Sequence, residues 1–206
     1  MNVAPVQPPD FELRAAARSA ELLGIDNAAA HAPPVFDDRL FARLVAAREV
    51  RGELALLGLT AGQLAGLAKR HFAADAVVPL AQPAGKTLAN VVDETGAAYA
   101  ASMRDFLIAH AAPEVGSEDA RCLAAIVANA CLRPDHLWRD LGLFGRGDVT
   151  AMLERYFPAM VARNVEGLRW KKLLARELAL AAGATPGPAP GCPGCEDFGF
   201  CFPPGP

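Results

Sequence analysis

The chain has 206 residues, of which 52% are apolar, enough to build a hydrophobic core, and this excludes disorder along its whole length. Its net charge is -3, without a long basic run, so the electrostatic footprint of a nucleic-acid-binding protein is missing. Asn2 to Asp10 lacks the charged-then-apolar layout of a secretory signal, and the alanine-rich segments are broken by Arg, Asp, Glu or Lys before reaching the roughly 20 apolar residues of a membrane span. No nucleic acid, no membrane and a cytoplasmic location are the expectations.

In chain order, apolar residues recur at three and four, which predicts helix after helix and no strand. Asp10 is placed to cap a helix running to Leu23, which Gly24 ends. Asp37 or Asp38 caps a second, with Leu40, Phe41, Leu44 and Val45 on its apolar face. Thr60 and Gln63 have capping-box spacing and open a third with Leu64, Leu67 and Phe72. Residues 88–111, carrying Val91, Val92, Tyr99, Met103, Phe106 and Leu107, predict one long helix that Gly96 weakens in the middle.

Ser117 with Glu118 and Asp119 suits a helix start, and Pro134 stops that helix at Arg133. Short helices are expected at His136–Leu141 and Asp148–Tyr156, and a long one from Pro158 to Ala182 with Gly183 as its cap. The fold class is therefore all-α: a helical domain over residues 1–182, of about seven or eight helices, followed by an irregular tail over 183–206.

In that tail thirteen of twenty-four residues are Gly or Pro, and neither Lys nor Arg occurs. Such a segment is not expected to form helix, and it stays mobile unless a metal or partner offsets an ordering entropy of about 1–2 kcal/mol per residue. Its acidic character suits a basic docking surface.

Of the five cysteines, Cys122 and Cys131 lie among Leu123, Ile126, Val127 and Leu132 and read as core. Cys192, Cys195 and Cys201 crowd the tail and read as a site. Cys192-Pro193-Gly194-Cys195 is a C-x2-C turn, which lets two thiolates approach one metal or cluster, and Cys201 adds a third. Three soft thiolates leave zinc or a four-iron cube one ligand short. Asp197, Glu196, Cys122, Cys131, a solvent molecule or an open position all remain as the fourth. A structural zinc on the tail is the competing reading of the spacing. No Ser/His/Asp order, phosphate loop or helical His-x3-His pair argues for turnover chemistry.

One longer pattern is specific. Pro134-Asp135-His136-Leu137-Trp138-Arg139-Asp140-Leu141-Gly142-Leu143, then Phe157-Pro158, Asn164, Trp170-Lys171-Lys172 and the tail cysteines with Cys201-Phe202, together resemble the NifQ family over roughly residues 118–202. The resemblance implies an iron-sulfur cluster able to carry molybdenum and to pass it to the nitrogenase cofactor-assembly proteins that build the iron-molybdenum cofactor, with molybdate or a molybdenum-sulfur species as cargo. The family's Cys-x4-Cys-x2-Cys-x5-Cys pattern is met at its last three positions, and Gly187 stands at the first. His136, Arg169, Lys171, Lys172, Glu196 and Asp197 are the candidate surroundings or anion contacts of the centre. For His136, Trp138 and Asp140 the competing reading is a packed helical corner, and for the basic residues a solvated helix face. A zinc-stabilised interaction module and a cluster-bearing redox protein without molybdenum are the alternatives to the donor.

Overall fold

A computed structural model describes residues 10–25, 33–76, 78 and 93–204, and among these it is helical throughout, with ten α-helices, short 3-10 turns and no strand. The described residues fall into two compact units, one within Val6–Val91 and one within Val92–Pro206.

In the first unit, α1 (Phe11–Leu22) packs on α2 (Phe36–Val50), burying Phe11 and Ala15 against Ala47. Asp10 stands at the N-cap of α1, but its side chain makes no capping bond. Helix α2 begins earlier than expected: Val35 is the N-cap, and the Asp38 carboxylate accepts from its amide at 3.0 Å, so Asp38 acts from inside the first turn. A 3-10 turn at Leu54–Leu57 leads to α3 (Ala61–His71), where Thr60 and Gln63 close the expected capping box at 3.0 and 3.2 Å.

The second unit starts with α4 (Glu94–Ala109), where the Asp93 carboxylate accepts from the Gly96 amide at 2.8 Å. Gly96 thus sits in the first turn and does not weaken the middle; the expected residues 88–92 lie outside the described ones. Helix α5 (Ser117–Ala130) packs along α4 and buries Cys122, Leu123, Ile126 and Val127. Next come α6 (Leu137–Leu141) and α7 (Arg146–Tyr156). Helix α7 starts two residues before Asp148, whose carboxylate accepts from the Phe144 amide at 2.8 Å.

The predicted long helix 158–182 is two helices, α8 (Pro158–Arg163) and α9 (Trp170–Ala181). Asn164 breaks it: its side-chain amide donates to the Leu168 carbonyl at 3.0 Å, and its oxygen accepts from the Leu168 amide at 2.7 Å, in place of helical bonds. Arg146 holds the break by donating to the carbonyls of Gly167 and Leu168 at 2.9 and 2.8 Å. A new helix N-terminus is thereby created at Trp170, and α9 packs against α4.

The tail after Gly183 is irregular to Ala189, as expected, but it then forms a 3-10 turn at Cys192–Gly194 and one helical turn, α10 (Phe198–Cys201). Helix formation is tolerated because Pro193 and the glycines fall in or beside single turns, where no amide of theirs is needed for a continuing ladder. Among the described residues no helix is long and apolar enough to cross a membrane.

Candidate metal centre at the docked cysteine tail

The tail reaches its position through two glycines. The Gly191 amide donates to the Cys131 carbonyl at 3.0 Å, at the end of α5, and a Cβ on Gly191 would overlap the Arg133 carbonyl. A Cβ on Gly194 would stand 2.5 Å from the Pro134 side chain. The Gly-Cys-Pro-Gly-Cys segment thus lies flat on the corner between α5 and α6, seating Cys192 in a buried position and Cys195 and Cys201 in half-buried ones.

That corner is itself braced from α9. The Lys171 ammonium, 5% exposed, donates to the Arg133 carbonyl at 2.8 Å and forms a buried pair with Asp140, which Arg133 also contacts at 3.3 Å. Lys171 is therefore structural, not a solvated cation; the adjacent Lys172 donates to the Cys201 carbonyl and stands 5.0 Å from the Phe202 ring centre. Arg169 pairs with Asp197 at 2.7 Å, and Arg139 with Glu196 at 2.7 Å, which holds the Glu196 carboxyl below its ordinary value.

The three tail cysteines line one pocket of about 550 Å³, open to solvent in part, together with Asp135, His136, Trp138, Arg146 and Arg169–Lys172 on its walls and Asp197, Phe198 and Phe202 from the tail. Of the sequence-predicted residues, Glu196, Asp140, Cys122 and Cys131 stand off this lining. His136 Nε2 lies 3.4 Å from both Glu196 and Asp197, and its ring stacks on Trp138 with centres 6.4 Å apart. Trp138, expected in the core, is half-buried and faces the pocket; Leu137, Asp140 and Leu141 do form the packed corner. Arg146 was not foreseen, since no motif precedes it.

Burial pushes the Cys192 and Cys195 thiols up, with Lys171 among the groups acting in the opposite direction. Metal binding at these positions would release protons and strengthen as pH rises. Cys131 and Cys122 are buried, as expected, and neither lines the pocket. Among the described residues no three His, Cys, Asp or Glu side chains form a group that could hold a metal ion as they stand, so the three thiols share a pocket without converging. The soft donors and the cationic walls fit an anionic metal-sulfur centre.

Burial drives the Cys131 thiol up to about 12. The folded chain therefore keeps this proton while the unfolded chain loses it near the thiol's ordinary value of 9.0. The resulting stability is complete below pH 9 and declines as pH rises through the folded value. Unfolding free energies of the metal-free protein between pH 8 and 11 should fall more steeply for the wild type than for Cys131→Ala; equal slopes would contradict this.

By fold and site, the described residues form a helical protein that presents three thiols in one cation-lined pocket. The family model for NifQ matches residues 40–203, and the chain belongs to the NifQ family. It is 41% identical over 102 residues to the Protein NifQ homolog of Sinorhizobium fredii, covering 50% of this chain and 44% of that one. To Protein NifQ of Azotobacter vinelandii it is 42% identical over 80 residues, 39% of this chain and 41% of the other. To that of Rhodobacter capsulatus it is 36% identical over 90 residues, 44% and 50% of the two chains. The chain spans about half the length of the curated relatives it matches. No solved structure matches it.

Proposed function

We propose that this protein holds an iron-sulfur centre on Cys192, Cys195 and Cys201 and uses it to carry molybdenum, which it donates to the assembly of the nitrogenase iron-molybdenum cofactor. The observation that supports this reading is the grouping of all three tail thiols in one pocket whose walls carry Arg146, Arg169, Lys171 and Lys172. An iron-sulfur centre would supply soft sulfide positions and a metal site with an open coordination position, since this chain has Gly187 where the family pattern has its first cysteine.

The chain's own residues perform the other tasks. Lys171 and Asp140 fix the corner on which Cys192 rests. Lys172 and Arg169 hold the outer turn of the tail through the Cys201 carbonyl and the Asp197 carboxylate. His136 and Asp197 stand at the rim as nitrogen and oxygen donors.

The test is anaerobic purification from molybdate-supplied cells, with iron, molybdenum, zinc and sulfide measured per chain. Iron, sulfide and molybdenum together are expected, and Cys195→Ala should lose them while Cys122→Ala keeps them. Gly187→Cys should strengthen retention: a Cβ there meets nothing within 4 Å, so the added thiol is sterically free. Zinc alone would favour an interaction module, and iron and sulfide without molybdenum uptake a redox protein.

A further inference from the structure

We infer that the Asp135 carboxylate is the oxygen ligand of the centre, serving the position that Gly187 leaves without a thiolate and making that position the exchangeable one. The inference rests on the thiolate centre proposed above, and it adds a donor from the helical body to the three on the tail.

The first observation is place. Asp135 follows Pro134, on which the C-x2-C turn lies so closely that a Cβ on Gly194 would stand 2.5 Å from the proline side chain. It lines the pocket with Cys192, Cys195 and Cys201, and its own side chain is 21% exposed. The second is the way the carboxylate is held. Its Oδ1 accepts from the His136 amide at 2.6 Å and from Arg139 Nη1 at 3.3 Å. These bonds anchor the group through one oxygen, while among the described residues Oδ2 has no donor. A carboxylate anchored in this way takes a cation on its second oxygen without giving up a contact of the fold.

The third is the state of the other candidates for a fourth ligand. Glu196, Cys122 and Cys131 stand off the pocket lining. Asp197, the other carboxylate on it, directs Oδ2 to Arg169 at 2.7 Å and to His136 at 3.4 Å, and it belongs to the outer turn of the tail. Three thiolates and one carboxylate make a mixed shell. Soft sulfur holds iron firmly and harder oxygen less so, which makes the oxygen-bound metal the one that is released or replaced. With donors on both the body and the tail, a bound metal also fastens one to the other.

The experiment titrates the reduced, metal-free full chain with cobalt(II). Thiolate charge-transfer absorption counts the sulfur ligands, and the visible bands move to longer wavelength as sulfur replaces oxygen. The wild type is expected to give the absorption of three thiolates per cobalt. Asp135→Asn, which keeps the oxygen that the His136 amide needs, should weaken binding at least tenfold, with circular dichroism unchanged. Asp135→Cys should raise the absorption to that of four thiolates and move the visible bands to longer wavelength, a signature that a merely structural role would not produce. Wild-type affinity and spectrum in Asp135→Asn, or three thiolates in Asp135→Cys, would overturn the inference and leave the three-thiol centre standing. Absence of both thiolate absorption and iron uptake on anaerobic reconstitution of the wild type would overturn the centre itself, and the inference with it.

Discussion

Asp140→Ala will destabilise the chain by about 3–5 kcal/mol, the largest loss expected of any single substitution around the site. Asp140 and Lys171 are 9% and 5% exposed at their side chains, so the deletion leaves an ammonium out of water with the Arg133 carbonyl as its remaining acceptor. Arg133 would lose its carboxylate contact as well. Lys171→Met in the Asp140→Ala background should recover much of the loss, because the uncompensated charge and not the missing pair carries most of the cost. Urea unfolding of the two single variants and the double variant measures this. A loss under about 1 kcal/mol for Asp140→Ala, or strict additivity in the double variant, would show that the pair is not coupled as its burial requires.

Gly191→Ala is expected to lift the cysteine tail off the body without unfolding it. The backbone at this position has φ -79° and ψ -17°, which alanine adopts freely, so the whole cost comes from the added methyl meeting the Arg133 carbonyl. Overpacking of this kind costs about 1–3 kcal/mol. Cys192 is 8% exposed when docked. Its alkylation rate should therefore rise about tenfold or more, since each 1.4 kcal/mol is a factor of ten, and hydrogen-exchange protection should drop across residues 189–201. Gly187→Ala, with open space around its Cβ, serves as the control and should leave both unchanged. Slow alkylation in Gly191→Ala would mean that the tail is held elsewhere.

The sequence showed helices wherever the local chemistry is self-contained. Thr60 and Gln63 cap each other across three residues, and their box appears where the spacing placed it. The break between α8 and α9 was missed because Val165 and Glu166 do not oppose a helix; the signal was Asn164 followed by Gly167, a side chain able to imitate a turn and a glycine with φ +64°. At the site, the C-x2-C spacing and Cys201 marked the thiols themselves. Their setting depends on distant partners that no spacing encodes. Gly191 meets Arg133, and Lys171 and Lys172, neighbours in sequence, point about 100° apart around α9, one into the Asp140 pair and one to Cys201. Trp138 read as core because it is large and apolar, yet the tail leaves it facing the pocket.

The tail is secured unevenly along its length. Near Cys192 the attachment is an uncharged main-chain bond and close interlocking of glycine with backbone, which dissolved salt does not weaken. Further out, the Arg169–Asp197 and Arg139–Glu196 pairs have side chains between 29% and 54% exposed, and such contacts are weak and fade as ionic strength rises. Loosening therefore proceeds from the outer turn inward. The holder behaves as a clasp with a fixed jaw at Cys192 and Cys195, where Gly191 and Gly194 meet Arg133 and Pro134, and a salt-sensitive jaw at the outer turn that carries Cys201.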